Sequence, residues 1–249
     1  MDKVIRSSAS CATARRRPGM MLRILLSILP VIALCSAPSA MAQRHYVPHV
    51  HVGVHGGMSM STVSFFPSIK DRMLSGMQFG VAFRYAEERH VGLVAELNLE
   101  QRGWAEDFSG TPLTYSHRTT YVELPVLTHI FFGSRVVKCF INLGPEIGYM
   151  LSNKIDSNFD YHNPSGVEGF PDDNRHVEQM KMEITNKFDY GITAGAGVEF
   201  VIRKRHSLML EGRYYYGLGN IFPSAKKDYF SSSRGSSILV TLGYMFRIK

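Results

Sequence analysis

From Phe188 to Ile202 the chain alternates with a period of two. One parity reads Phe188, Tyr190, Ile192, Ala194, Ala196, Val198, Phe200 and Ile202; the other reads Asp189, Gly191, Thr193, Gly195, Gly197, Glu199 and Val201. A β-strand sends successive side chains to opposite faces, so this segment predicts a strand with one apolar face and one face of glycine, hydroxyl and charge. The same alternation predicts eight strands, at about 49–60, 74–85, 91–101, 120–132, 136–150, 188–202, 207–216 and 236–247. Most are longer than the ~5–6 residues usual in soluble sheets and match the ~9–11 residues of a tilted membrane-crossing strand.

The connections alternate in length. Segments 61–73, 102–119, 151–187 and 217–235 are long, while 86–90, 133–135 and 203–206 are short. Outer-membrane barrels put short turns on the periplasmic side and long loops outside. With the first strand starting inside, all seven connections fall on the expected side. Aromatic residues gather at strand ends, as two interfacial girdles would require. Tyr121, Tyr149, Phe188, Tyr190, Tyr214 and Tyr216 fall toward the outer rim, and Tyr85, Phe131, Phe200, Tyr244 and Phe246 toward the periplasmic rim.

The competing fold is a soluble eight-stranded barrel with its apolar face inside. The polar face here is rich in glycine, including Gly53, Gly57, Gly80, Gly144, Gly191, Gly195 and Gly243. Glycine weakens an exposed strand without gain. In a narrow interior it leaves room for long charged neighbours. The expected fold class is therefore all-β: an eight-stranded antiparallel up-and-down transmembrane β-barrel.

The first 42 residues change the reading of charge. Arg15, Arg16, Arg17 and Arg23 precede a short apolar run, Ile24–Leu34, and Ala40-Met41-Ala42 forms a small-residue cleavage pattern. This predicts a signal peptide over 1–42, with Met20 or Met21 as an alternative start, and a barrel domain over 43–249. Leu34 is too large for the usual lipidation signal at Cys35. The chain holds 28 basic and 21 acidic residues. Without the leader's six basic residues and one acidic residue, 22 and 20 remain, so the barrel domain is nearly neutral. The basic excess of the whole chain is thus no argument for nucleic-acid binding. Of three cysteines only Cys139 lies beyond the leader, which excludes an intramolecular disulfide there.

An eight-stranded barrel has an interior just wide enough to be filled by side chains. Inward parity places Arg84, Lys138 and Arg213 there with Glu96, Glu123, Glu146, Glu199 and Glu211. Buried charges must be paired, so these eight residues predict a luminal ion-pair network. His49, His51 and His55 share the luminal parity of the first strand, but imidazoles two apart on one strand diverge, and no metal is expected. No cofactor is expected either. Segment 152–187, with Asp156, Asp160, Glu168, Asp172, Asp173, Glu178 and Glu183, reads as a solvated loop and is the first candidate for partner contact; 111–118 is the second. Ser116, His117 and Asp107 can be named for hydrolysis, but no motif fixes them, and no catalytic residue and no enzyme are expected.

The motif set resembles the PorT-like outer-membrane β-barrel family of Bacteroidetes. The matching stretches are Gly53-Val-His-Gly-Gly57, Gly76-Met-Gln-Phe-Gly80, Ala95-Glu-Leu-Asn-Leu-Glu-Gln-Arg-Gly103 and Tyr121-Val-Glu-Leu-Pro-Val126. Gly144-Pro-Glu-Ile-Gly148, Asp189-Tyr-Gly-Ile-Thr-Ala-Gly-Ala-Gly197, Glu211-Gly-Arg-Tyr, Gly217-Leu-Gly-Asn-Ile221 and Gly243-Tyr-Met-Phe246 complete them. The resemblance implies a single outer-membrane barrel, and its namesake branch implies a seat in type IX secretion. That branch opens with a stretch absent here. The last residue of the common pattern is aromatic, whereas Arg247-Ile-Lys249 ends this chain, leaving Gly243, Tyr244 and Phe246 as the insertion signal. The expected role is structural or interactive, through the outer loops. The alternative is a secretion or envelope-assembly complex, and a lipid-modifying enzyme is third. Expected partners are outer-membrane lipid, the barrel-insertion machinery and envelope or secretion proteins, with no nucleic acid.

Overall fold

The computed structural model describes residues 48–86, 90–171, 176–224 and 228–248. The expected leader lies outside these residues. The strands are β1 (His49–Phe66), β2 (Asp71–Arg72), β3 (Leu74–Ala86), β4 (Val91–Glu106), β5 (Tyr115–Gly133), β6 (Val137–Ser157), β7 (Phe188–Ile202), β8 (His206–Gly217) and β9 (Ser232–Arg247). Helical structure among the described residues is one short 3₁₀ turn, Pro164–Gly166, and one four-residue helix, α1 (Glu178–Lys181).

Sequence neighbours pair antiparallel, β1 pairs with β9, and β4 pairs with β5, so eight strands join in a ring; β2 adds two residues along the outer part of β4. The ring leaves no long open edge. The two-residue β2 was not read from the sequence, because its span is too short to carry an alternation.

Exposure along the strands is inverted relative to a water-soluble barrel. Outward Val54, Phe79 and Leu242 are 56%, 60% and 64% exposed, whereas inward Glu199, Arg84 and Glu123 are 1%, 3% and 1% exposed. Burying several apolar faces against hydrocarbon is favourable, and burying charge is tolerable only where the charges meet one another. Glycines make that meeting sterically possible. A Cβ on Gly195 would lie 2.5 Å from Glu211 Oε1, and one on Gly191 would lie 2.6 Å from the Tyr215 ring.

Two of the expected girdle aromatics point the other way. Tyr121 and Phe131 are buried inside the ring. Each shares its strand parity with an inward polar residue, Glu123 and His129 respectively, so alternation sends both inward. The expected boundaries are also short at the long-loop end. β1, β4 and β6 run on to Phe66, Glu106 and Ser157, β5 begins at Tyr115 and β9 at Ser232.

These extensions build a core above the polar interior. Val63 and Phe65 of β1, Trp104 of β4, Tyr121 of β5 and Met150 of β6 pack with Ile184 from the 158–187 connection and Phe222 and Phe230 from the 218–231 connection. Trp104, Phe222 and Phe230 are fully buried, and Phe65 meets Trp104 edge-on at 5.4 Å. Phe108, Tyr115 and Met180 form a second cluster beside Leu113, Phe159 and Phe170. The 152–187 segment is therefore not simply a solvated loop. Its apolar residues fold over the mouth, and α1 is tied down where Gln179 Nε2 donates to Glu106 Oε1 at 2.9 Å and the Tyr115 hydroxyl donates to the Met180 carbonyl at 3.3 Å.

Candidate functional site

The ring interior holds three charged centres, whose order along the axis follows from the register on β7. Glu199 lies opposite Lys138 near the short-turn end, Gly195 lies opposite Asn142 and Arg213, and Gly191 lies opposite Glu146 toward the long-loop end.

The centre nearest the short turns is Arg84 with Glu199. Arg84 Nη1 and Nη2 donate to the two carboxylate oxygens at 3.0 and 2.7 Å, a bidentate pair. Arg84 Nη1 also stands 3.3 Å from His129 Nε2, and His129 Nδ1 stands 2.7 Å from Asn142 Oδ1. Asn142 Nδ2 donates to Glu211 Oε1 at 2.8 Å, which links this centre to the next. There Arg213 donates to both oxygens of Glu96, at 2.7 and 2.9 Å, and to Glu211 Oε2 at 3.0 Å. Asn98 Nδ2 donates to Glu96 at 3.1 Å, and His55 Nε2 lies 3.7 Å from the same carboxylate. A continuous polar chain thus joins the two lower centres.

The third centre gathers four carboxylates around one guanidinium. Arg102 lies 2.5 Å from Glu146, 2.8 Å from Glu123, 3.2 Å from Glu100 and 3.4 Å from Asp189. Its guanidinium carbon sits 3.8 Å over the Tyr215 ring, and the Tyr215 hydroxyl donates to Asp189 at 2.8 Å. Thr193 Oγ1 donates to the second oxygen of Glu146 at 2.5 Å. Among the described residues Glu100, Glu123 and Glu146 are the one group of metal-ligand type whose donor atoms lie within 4.8 Å of one another, and the Arg102 cation already stands among them.

The structure therefore brings seven of the eight expected network residues into ion pairs: Arg84, Glu96, Glu123, Glu146, Glu199, Glu211 and Arg213. Lys138 stands apart. Its ammonium lies 5.0 Å over the Phe131 ring, and among the described residues it has no carboxylate within ion-pair distance. Its place near the mouth lets water solvate it. Sequence reasoning left Arg102, Glu100 and Asp189 out of the network. Glu96, Asn98, Glu100 and Arg102 share one parity on β4, so the signal was present and ended one residue short, at 101.

His51 and His55 lie inside the ring on β1, beside different centres along the axis. Ser116 and His117 are consecutive in β5 and so take opposite faces. His117 is buried against the Trp104 ring at 4.3 Å and hydrogen-bonded to Asn153, while Asp107 accepts from the backbone N–H and hydroxyl of Ser109. Tyr244 and Phe246 lie on the strand that closes the ring, with Val54 and Val52 of β1 as their partners and Gly243 opposite His55.

Comparison with known proteins gives the frame for this architecture. A family model described as outer membrane protein beta-barrel domain matches residues 41–223. The chain matches no curated protein sequence. Among solved structures it is similar to Neisserial surface protein A, at 11% identity and TM-score 0.43, covering 81% of this chain and 99% of that one. It is also similar to OprG of Pseudomonas aeruginosa, at 10% identity and TM-score 0.48, covering 80% and 95%. A third is Ail, the attachment invasion locus protein of Yersinia pestis, at 12% identity and TM-score 0.39, covering 79% and 98%. The family match spans β1 to β8 and all three charged centres, and on it the chain belongs to the outer membrane protein beta-barrel domain family and resides in the outer membrane.

Proposed function

We propose that this protein is an eight-stranded transmembrane barrel with a sealed interior, a structural and interaction element of the outer membrane rather than a pore or an enzyme. The observation that carries the reading is the filled interior: three charged centres in series under an apolar cap built by the 158–187 and 218–231 connections. What remains for contact is the outward surface of those connections. The short turns face the periplasm in this reading, and the long connections face outward.

Two measurements test it. In planar bilayers the protein should show no steady conductance, and a stable open level would overturn the sealed reading. Replacing residues 160–169 by a short glycine-serine linker should leave the barrel folded while abolishing retention of its native contacts in mild detergent. Unchanged retention would remove the loops from the proposal. A second reading, a seat in a secretion or envelope-assembly complex, is favoured by the PorT-like motif set; stoichiometric co-purification of such proteins would favour it over a stand-alone barrel.

A further inference from the structure

The outer wall of the ring carries two cations face to face, just past its apolar band. On β5 the outward parity runs Leu124, Val122, Thr120, Arg118 and Ser116 toward the long connections. Val122 stands opposite Tyr149, an exposed aromatic, and Arg118 stands opposite Lys154. A strand tilted ~45° rises about 10 Å from Val122 to Arg118, which carries it out of hydrocarbon into the headgroup layer. Like charges directly opposite across an antiparallel pair destabilise it. Lys154 has Asp156 at 3.1 Å. Arg118 has no carboxylate within ion-pair distance among the described residues, and its Nε is shielded from water without a hydrogen-bond partner.

Beside this pair the wall is hollow. A surface depression of about 370 Å³ is lined by Arg72, Ala105, Ser116, Asp156, Ser157 and Asn158, among others. Arg72 is exposed opposite Ala105 of β4 and, among the described residues, also has no carboxylate within ion-pair distance. The carboxylates nearest it in the chain and in the hollow are already engaged. Asp71 accepts from the Thr62 hydroxyl, and Asp156 is held by Lys154. Ser116 and Ser157 add hydroxyls to the wall.

From the opposed cations at headgroup depth and the polar hollow beside them, we propose that this wall binds a lipid whose headgroup is a phosphorylated sugar. The guanidinium groups of Arg118 and Arg72 offer planar donors matched to phosphate oxygens, and Lys154 offers a point charge. A phosphate between Arg118 and Lys154 turns their repulsion into a bridge. Size favours a sugar over a bare phosphate: about 370 Å³ falls within the ~300–1,000 Å³ of sites for small organic molecules, and a lone phosphate leaves most of it empty. The site rests on the proposed function in one respect, that the long connections and this wall share the outer leaflet.

The test uses the full barrel purified in a non-ionic maltoside, at constant ionic strength so that screening is equal throughout. The micelles are dosed with diphosphorylated lipid A, with its dephosphorylated form, or with phosphatidylglycerol, and retained lipid is counted by native mass spectrometry. The parent is compared with Arg72→Gln/Arg118→Gln, which breaks no ion pair, and with Arg203→Gln/Arg205→Gln, which removes the same charge at the opposite end. Unchanged thermal transitions verify both folds, and the comparison between the two forms of lipid A needs no variant. Retention of diphosphorylated lipid A that falls at least tenfold in Arg72→Gln/Arg118→Gln and with the dephosphorylated lipid, but holds in Arg203→Gln/Arg205→Gln, supports the site. No retention, equal retention by parent and Arg72→Gln/Arg118→Gln, or equal loss in both variants overturns it. Phosphatidylglycerol retained as strongly as lipid A overturns the sugar headgroup. Binding in detergent depends on neither conductance nor orientation, so this site and the proposed function fail separately.

Discussion

At the residue scale the barrel depends on charges that have nowhere else to go. Arg84 and Glu199 are 3% and 1% exposed and meet through two hydrogen bonds. Removing one partner leaves the other buried and alone, which costs about 3–5 kcal/mol, whereas replacing both by apolar groups of similar size is often neutral. Arg84→Met should therefore lower stability by about that amount, and Arg84→Met/Glu199→Leu should recover most of it. Guanidinium unfolding in detergent checks both, and simple additivity of the single variants would argue against a coupled pair. The outward parity gives the opposite test. Val240 is 51% exposed and lies midway along β9, beside Gly212 and Met58. Val240→Arg should cost about 2–4 kcal/mol if that surface meets the bilayer midplane, while Thr241→Ser, on the inner face, should be mild. Parent-like insertion of Val240→Arg would reverse the assignment of faces.

At the element scale, what the sequence made legible and what it hid divide where the strands run past the apolar band toward the long connections. Within the bilayer span every strand separates apolar from polar residues by parity, because lipid and lumen impose opposite demands on the two faces. Beyond it that contrast disappears. The inner parity of β1 changes from Ser59 and Ser61 to Val63 and Phe65, and β4 buries Gly103, Trp104 and Ala105 in succession. An alternation rule stops there and reads the apolar cap as loop, while Arg102, the last residue that keeps the inward parity, falls one position past the expected strand end at 101. The bulge between Thr120 and Tyr121 falls at the same level, with one extra residue, Leu151, on β6, and locally re-aims that strand. At the other end, the β7–β8 turn is an element whose local preference conflicts with its conformation. Arg203→Asn/Lys204→Gly should relieve two unfavourable φ angles and stabilise the barrel by about 1–2 kcal/mol. Thermal unfolding checks this, and a drop in stability would show that the cations there hold the turn through contacts of their own.

At the scale of the whole molecule, the proposed sealed interior would be closed twice, by different physics. The cap is apolar and close-packed, which would exclude water: Phe222 and Phe230 are fully buried against Phe65 and Trp104. The region below would exclude ions because its buried charges already stand in ion pairs. Arg213 engages Glu96 across the ring and Glu211 on its own strand, and Asn142 and His129 join that centre to Arg84 and Glu199. The two seals should therefore come apart under mutation. Phe222→Ala/Phe230→Ala removes two core aromatics, each worth about 3–5 kcal/mol when truncated in a well-packed site. Much of that cost should fall on the cap rather than on the ring, since the 218–231 connection can detach while the strands stay paired. The expected result is faster proteolysis within 218–231 with retained β-structure and still no steady conductance, because the charged centres continue to fill the lumen. A stable open level in this variant would mean that the apolar cap is the only barrier and that the ion pairs below it leave a continuous water path.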